Sequence, residues 1–174
     1  LLYHKPILAI NHLYAHLEAI HIDQNVSYPY LGLLVSGGHS LYFHVESAQK
    51  FTLLGSTIDD AAGEAFDKGG KLMGLPYPSG RLIDEYAKKG NEKAFSFPIG
   101  LKDSKDARLS FSGLKTSLRN MLTLEPELLP SKLSDLCASY QLAIIEALCL
   151  KLDYARKGHE SLPIVVGGGV ACNS

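Results

Sequence analysis

Residues 31–45 read LGLLVSGGHSLYFHV, and this stretch is the strongest indication of the fold. The apolar run at residues 31–35 predicts a short buried strand, and the glycine pair after it predicts a tight turn, because glycine lets the backbone bend sharply. Beyond the turn, apolar and polar residues alternate as in a half-buried strand: Leu41, Phe43 and Val45 against Tyr42, His44 and Glu46. The stretch therefore predicts a β-hairpin whose turn is residues 36–39.

Strand and helix patterns alternate around this hairpin. Apolar runs predict short buried strands at residues 7–10 and 164–166, and a third strand beside the hairpin at residues 51–54. Apolar residues at helical spacing predict helices at residues 12–22, 59–73, 79–89, 112–121 and 131–157, with Ser79 as a cap. Residues 95–108 are irregular, polar and glycine-containing, which predicts a loop or a hairpin. The mixed order predicts an α/β fold built on glycine turns that can cradle phosphate.

Composition argues against three classes of protein. The formal net charge of the 174 residues is −1, so a chain that holds nucleic acid by a broad basic face is disfavoured, and RNA binding needs a local patch or a partner. Cys137, Cys149 and Cys172 form no disulfide framework and indicate a reducing, cytoplasmic compartment. No uninterrupted apolar run approaches the ~20 residues that span a bilayer, so we expect no membrane contact.

The two ends of the chain predict a fragment. The sequence starts without Met, directly before an apolar run, and it stops in a glycine turn of the kind that normally feeds a helix.

Two histidines stand at i and i+4 in the string NHLYAH, residues 11–16. His12 and His16 would face the same way on a helix, so their imidazoles can share one metal ion. A zinc-protease helix has glutamate directly after its first histidine, and here that position is Leu13. Two ligands do not complete a site, so a third, a carboxylate, is expected from elsewhere. The competing interpretation is two helix histidines with ordinary partners.

Two glycine turns follow predicted strands. The first, LVSGGH at residues 34–39, can bring backbone N–H groups against an anion, although it lacks the P-loop and dinucleotide spacings, and a plain hairpin turn competes. The second, VVGGGVACN at residues 165–173, suits the close approach of a nucleoside, which Asn173 could hydrogen-bond. A simple strand-to-helix connection is the alternative there.

Two charged patterns add weaker hypotheses. Asp60, Glu64 and Asp67 would share one face of a helix, where like charges repel, so a ligand, a metal or a hydroxyl group would explain them. Lys115 and Arg119 are cations one helical turn apart, near hydroxyl side chains, and could contact an RNA backbone. A solvated face is the competing interpretation of both patterns.

Taken together, five strings resemble the TsaD family, once described as glycoproteases. They occur in the family's order across nearly the whole chain: NHLYAH, LLVSGGH, LLGSTIDDAAGEAFDKGGKLMGLPYPSG, LSFSGLKTSLRN and VVGGGVACN. His39 and residues 59–64 resemble the bacterial branch of the family. Ala171 and Cys172 depart from the Ser-Ala that the family commonly has, and the family's N-terminal acidic and hydroxyl-rich turn is absent.

The resemblance implies an actin-like, two-lobed nucleotide-binding fold of the ASKHA superfamily, which includes sugar kinases, Hsp70 and actin. Residues 1–26 would end the first lobe and carry the histidine helix, and residues 27–174 would form the bulk of the second, with the N- and C-terminal segments of the full protein missing. The implied reaction transfers threonylcarbamoyl from threonylcarbamoyl-AMP to N6 of adenosine 37, in tRNAs reading codons that begin with A, and releases AMP. We expect the truncated chain to be inactive alone.

The resemblance also implies site residues and partners. His12 and His16 would bind one divalent metal ion, Fe²⁺ before Zn²⁺, with the family's third ligand an aspartate downstream of residue 174. The implied substrate-binding residues are Leu34, Val35, Ser36, Gly37, Gly38, Asp67, Gly80 and Asn173. The implied partners are tRNA, threonylcarbamoyl-AMP and the proteins TsaB and TsaE. The sequence shows no Cys/His or Ser/His pair for a covalent intermediate, so we expect direct attack by the adenine N6.

Two other functions stay open. A metalloprotease-type hydrolase would need a general base, and Leu13 occupies the position where such helices have glutamate. A non-catalytic nucleotide-binding scaffold is possible on the same fold, but scaffold paralogues typically lose the paired histidines that this chain keeps.

Overall fold

The hairpin lies at the centre of a four-stranded sheet in the computed structural model, which describes residues 5–173. The strands are β1 (Tyr30–Val35), β2 (Ser40–Ser47), β3 (Lys50–Ser56) and β4 (Ile164–Gly167), in the order β3-β2-β1-β4. Neighbours β1 and β2, and β2 and β3, are antiparallel, whereas β4 runs parallel to β1. The hairpin and its third strand are therefore confirmed.

Six helices accompany the sheet in the described residues: α1 (His12–Glu18), α2 (Ile20–Asp23), α3 (Ala62–Leu72), α4 (Gly80–Ala87), α5 (Ser112–Leu124) and α6 (Leu128–Ala155). A single 3₁₀ turn, Gly169–Cys172, follows β4. The predicted helix at residues 12–22 divides at Ala19, and α3 begins at Ala62, so Asp59 and Asp60 lie before it. Residues 95–108 contain no helix or strand, so of the two predicted alternatives the segment is a loop and not a hairpin.

Side chains of β1 are buried on both faces of the sheet. Leu33 and Val35 belong to the large core formed with α3, α5 and α6, whereas Leu34 packs on the other face with Leu17 of α1. Tyr42, predicted to lie on the polar face of β2, is also buried, because α6 covers that face and the Tyr42 hydroxyl donates a hydrogen bond to the Leu148 carbonyl at 2.8 Å. The burial raises the pKa of Tyr42.

Helix α6 is the central helix of the large core. By length and composition it could cross a membrane, with a mean hydropathy of 1.4 in its most apolar stretch. Polar residues such as Ser139 and Gln141 interrupt this helix, so it contains no uninterrupted apolar run of membrane-spanning length. More than half of the apolar stretch is buried inside the fold, and the Tyr140 hydroxyl donates to the Ala65 carbonyl at 2.9 Å. Its apolar face is thus explained by core packing.

Two predictions of burial are wrong. Residues 7–10 form no strand, and Ile7 and Leu8 are 69% and 85% exposed, because no strand among the described residues lies beside them to pair with or cover them. The strand at residues 164–166 is confirmed, but Ile164 and Val166 are 38% and 48% exposed. Within the described chain β4 is an edge strand that pairs with β1 alone, so its side chains lack cover.

A buried lysine holds the long loop against α6. Lys151 has no exposed surface, and its Nζ donates to the Leu101 carbonyl at 2.6 Å and to the carbonyl and hydroxyl of Ser104 at 2.8 Å each. Leu101 has a φ of 54°, a left-handed conformation that is uncommon outside glycine. Burial lowers the pKa of Lys151. The ammonium group therefore stabilises an otherwise unfavourable bend.

Lys151→Met in the full-length protein is expected to lower the free energy of unfolding by roughly 2–4 kcal/mol, because two partly buried carbonyls lose their donor. Equilibrium unfolding in urea measures the change. Lys89→Met is the matched control, since Lys89 is exposed on the surface near the end of α4. Equal unfolding midpoints for the two variants would contradict the role of Lys151.

Candidate functional site

A cleft of about 540 Å³ opens between the two glycine turns and the helices α3 and α4. Four of the residues predicted to bind substrate line it: Gly37, Asp67, Gly80 and Asn173. These residues are far apart in the sequence, and the fold brings them to one side of the sheet at the ends of β1 and β4.

The two glycine turns contact each other beneath the cleft. Gly168 has a φ of +99°, and a Cβ at this position would lie 2.2 Å from the Val35 carbonyl oxygen. Only glycine allows both this backbone conformation and this approach. The contact brings Gly169 of the second turn into the cleft that Gly37 of the first turn also lines.

The first turn of α3 fixes the position of the hairpin turn. The Gly63 N–H donates to the Ser36 carbonyl at 3.2 Å, and the Ala62 N–H donates to the Ser40 hydroxyl at 2.8 Å. Within the turn, the Ser36 N–H donates to the His39 carbonyl at 2.8 Å, and the His39 N–H donates to the Ser36 hydroxyl at 3.1 Å. The turn is therefore preorganised by α3 and by its own hydrogen bonds.

The residues of the predicted loop differ in what they could offer a ligand. Leu34 and Val35 are 1% and 2% exposed, so only their backbone could contribute to a contact. Ser36 is half-buried, and Gly37 and Gly38 are exposed.

Asp67 organises the start of α4. Its Oδ1 accepts a hydrogen bond from the Ser79 N–H at 2.7 Å, directly before Gly80. Ser79 was predicted to cap this helix by its side chain, but its hydroxyl donates to the Pro76 carbonyl at 2.9 Å instead. Asp67 and Gly80 thus form one corner of the cleft.

Two carboxylates of the acidic pattern have partners inside the protein. Asp60 precedes α3, and Lys68 forms ion pairs with both Asp60 and Glu64, the second at 3.5 Å. The Glu64 carboxylate also accepts the Ala61 N–H at 3.1 Å. The hydrogen bond with Asp60 raises the pKa of Lys68. One lysine and backbone donors thus offset the like charges of Asp60 and Glu64 within the protein itself.

Charged residues that the sequence analysis did not single out also line the cleft. Asp84 is buried and pairs with Lys88 at 3.0 Å, and Arg81 pairs with Glu85 at 2.8 Å. Both pairs have i,i+4 spacing along α4 and its C-cap Lys88, a spacing visible in the sequence. The cleft therefore has a charged wall opposite the two glycine turns.

The paired histidines lie beside the hairpin turn. The ring centroids of His12 and His16 are 4.5 Å apart, and the His39 ring is 5.4 Å from that of His12. Asn11 caps α1 by accepting the Tyr14 N–H at 3.1 Å. No set of three His, Cys, Asp or Glu side chains within residues 5–173 is arranged to hold a metal ion. The donor set fits two ligands of a metal site, and a third would have to come from elsewhere.

Asp59 anchors the start of α5. Its carboxylate accepts hydrogen bonds from the Ser110 hydroxyl at 2.6 Å, the Phe111 N–H at 2.8 Å and the Ser112 hydroxyl at 2.8 Å. Burial opposes ionisation of Asp59, but these hydrogen bonds outweigh it and lower its pKa below the ordinary value. Lys115 and Arg119 lie on α5, and their contact with RNA stays a prediction.

The sheet order, the paired glycine turns and the cleft beside them define a mixed α/β fold. Component A of (R)-2-hydroxyglutaryl-CoA dehydratase from Acidaminococcus fermentans has a similar fold, with a TM-score of 0.55 at 17% identity. The match covers 92% of this chain and 52% of that one. The fold class expected from the sequence is therefore confirmed.

The model of the TsaD family, tRNA N6-adenosine threonylcarbamoyltransferase, matches residues 1–174. The chain belongs to this family.

Curated relatives agree with this assignment. The tRNA N6-adenosine threonylcarbamoyltransferase of Geotalea uraniireducens is 45% identical over 170 residues, which are 97% of this chain and 50% of the relative. The enzyme of Nitratidesulfovibrio vulgaris (strain DP4) is 42% identical, and the match covers 97% of this chain and 52% of the relative. The enzyme of Anaeromyxobacter sp. (strain Fw109-5) is 46% identical, and the match covers 100% of this chain and 53% of the relative. The chain thus spans about half the length of the curated relatives it matches.

Proposed function

We propose that the protein transfers the threonylcarbamoyl group from threonylcarbamoyl-AMP to N6 of adenosine 37 in tRNAs that read codons beginning with A. The observation that carries this proposal is the cleft in which two glycine turns, Asp67, Gly80 and Asn173 meet, in a chain of the TsaD family. The reaction is acyl transfer to a weakly nucleophilic amine, so correct positioning of the two substrates would contribute much of the rate acceleration.

The adenylate would lie across the cleft. Backbone N–H groups of the hairpin turn, around Gly37 and Gly38, are suited to its phosphate, because the glycines let the backbone approach an anion closely. Asp67 and Gly80 would contact the substrate at the start of α4, and Asn173 would hydrogen-bond the nucleoside. Leu34, Val35 and Ser36 would contribute backbone groups or, for Ser36, the hydroxyl.

His12 and His16 would hold one divalent ion, Fe²⁺ in our proposal with Zn²⁺ as the second choice, and an aspartate beyond residue 174 would be the third ligand. Such an ion supplies Lewis-acid polarisation of a carbonyl oxygen. The rings of His12 and His16 lie beside the hairpin turn, so this chain would place the two ligands next to the phosphate-binding backbone.

The proposal includes partners and organisation. tRNA is the acceptor, TsaB and TsaE are the protein partners, and the compartment is the cytoplasm, without membrane contact. Residues 1–26 would belong to the first lobe and residues 27–174 to the second.

Modification of tRNA tests the proposal directly. The full-length protein is combined with threonylcarbamoyl-AMP, TsaB, TsaE and a tRNA that reads a codon beginning with A, and the nucleosides are analysed by mass spectrometry. We expect the modified nucleoside in this tRNA and none in the same tRNA carrying guanosine at position 37. A complete system that leaves adenosine 37 unmodified while cleaving a glycoprotein would support the hydrolase instead, and nucleotide binding without transfer would support the scaffold.

A further inference from the structure

A chain of amide and carboxylate groups crosses one end of the cleft. The Asn173 Nδ2 donates to the Gln141 Oε1 at 3.2 Å, and the Gln141 Nε2 donates to the Asp84 Oδ1 at 3.2 Å. The other oxygen of Asp84 pairs with the Lys88 Nζ at 3.0 Å. We call these four residues, Lys88, Asp84, Gln141 and Asn173, the amide relay. It joins three elements: α4, α6 and the end of the 3₁₀ turn.

The relay has a defined direction. A carboxylate that is paired with lysine can only accept hydrogen bonds, so Gln141 must turn its NH₂ group toward Asp84. Its carbonyl oxygen then faces Asn173 and can only accept, so Asn173 must turn its NH₂ group toward Gln141. Asp84 and Gln141 are 7% and 6% exposed, which leaves little room for water to satisfy a reversed amide.

The consequence appears at Asn173, which lines the cleft. With its NH₂ group directed to Gln141, its Oδ1 points away from the relay, and no other side chain of residues 5–173 donates to it. This oxygen is an acceptor whose orientation is set before any ligand arrives. It complements a ligand group that donates a hydrogen bond, and it repels a carbonyl oxygen in the same place.

We propose that Gln141 is a positioning residue that makes the cleft selective for 6-aminopurine nucleotides over 6-oxopurine nucleotides. Gln141 does not itself line the cleft, and it acts by fixing which end of the Asn173 amide faces the base. The exocyclic amine of adenine donates to the Asn173 oxygen, whereas the carbonyl at the same position of hypoxanthine or guanine cannot. The inference rests on the proposed function, because it takes the adenylate to be the ligand of this cleft.

Nucleotide affinities of the full-length protein test the relay. AMP, IMP and purine riboside 5′-monophosphate, which lacks any group at position 6, are titrated calorimetrically. AMP is expected to bind about tenfold more tightly than purine riboside 5′-monophosphate, the effect of one well-made hydrogen bond, and by at least that factor more tightly than IMP, whose carbonyl is also repelled. In Gln141→Met, which keeps the length of the side chain but removes both hydrogen bonds, the preference is expected to fall to about twofold or less, mainly through weaker AMP binding.

The controls separate the relay from the fold and from the proposed function. Gln49→Met, at an exposed position in the turn after β2, is expected to keep the preference of the wild type. AMP binding without a preference over IMP, or a tenfold preference retained by Gln141→Met, overturns the relay and leaves the transferase proposal standing. The comparison of AMP with IMP in the wild-type protein needs no variant, so it tests the relay even if Gln141→Met does not fold. A wild-type protein that binds none of the three nucleotides overturns both proposals.

Discussion

Gly63→Ala in the full-length protein is expected to lower adenylate affinity and threonylcarbamoyl transfer by about 100-fold, the scale of a 1 Å misplacement in an active site. A Cβ at Gly63 would lie 2.6 Å from both the Ser36 carbonyl oxygen and the Gly37 Cα, and 2.8 Å from the Gly37 nitrogen. These are backbone atoms of the hairpin turn, so no side chain can rotate away, and either the turn or α3 must move. Calorimetry with AMP and the tRNA assay measure the two effects.

Gly113→Ala is the matched control for this prediction. Gly63 and Gly113 are each the second residue of a helix, α3 and α5, but no atom lies within 4 Å of a Cβ at Gly113. The control is expected to keep activity and to gain a few tenths of a kcal/mol or more in stability, since alanine is the better helix former. Gly63→Ala should lose about 1–3 kcal/mol through overpacking. Wild-type AMP affinity in Gly63→Ala would show that the turn does not bind the nucleotide.

Elements whose formation depends on neighbouring residues were predictable. The hairpin has its glycine turn between two apolar strands, and its register follows from the short connection, so the β1–β2 pairing could be inferred from residues 31–45 alone. Helices with a long apolar face, such as α6, were equally clear. The glycine turns were identified because glycine after a buried strand marks a place where the backbone is approached closely.

Burial by distant elements was not predictable from local pattern. Tyr42 sits where alternation predicts a polar face, and only the packing of α6 on that face buries it. Ile164 belongs to an apolar run typical of a buried strand. The number of neighbouring strands cannot be inferred from such a run, and β4 lies at the edge of the sheet in the described chain. Such outcomes depend on the topology, which periodicity does not encode.

The candidate site likewise includes residues that could be predicted from the sequence and one that could not. The resemblance to the TsaD family predicted substrate-binding roles for Gly37, Asp67, Gly80 and Asn173, and the fold brings these four residues into one cleft. Gln141 was not identified from the sequence, because the role of a single polar residue on the buried face of α6 depends on partners that are distant in the sequence. Its hydrogen bonds reach 57 residues back along the chain to Asp84 and 32 residues forward to Asn173. The polar interruption of an apolar helical face was the one signal that could have drawn attention to it.

His12→Ala and His16→Ala are expected to abolish stoichiometric metal binding in the full-length protein and to lower tRNA modification by about 100-fold or more. The magnitude follows from the loss of several kcal/mol of charge stabilisation that a Lewis acid supplies. Both imidazoles come from one face of α1, so removing either leaves a single protein ligand on that helix. Metal content is measured by mass spectrometry of the purified protein, and modification by the tRNA assay.

His44→Ala is the control that distinguishes a metal site from a mere pair of histidines. The rings of His44 and His159 are 4.2 Å apart, as close as those of His12 and His16, but His44 lies within β2 and His159 follows α6. The ring of His12, by contrast, lies 5.4 Å from that of His39 in the hairpin turn. If proximity of two imidazoles were enough to bind the metal, the pairs His12–His16 and His44–His159 would contribute equally. If the metal site lies at the hairpin turn, only His12 and His16 are needed for metal binding and activity. We therefore expect His44→Ala to keep both metal and activity. If His12→Ala and His16→Ala do the same, these histidines are ordinary residues of α1, and the acyl group must be activated by some other part of the protein.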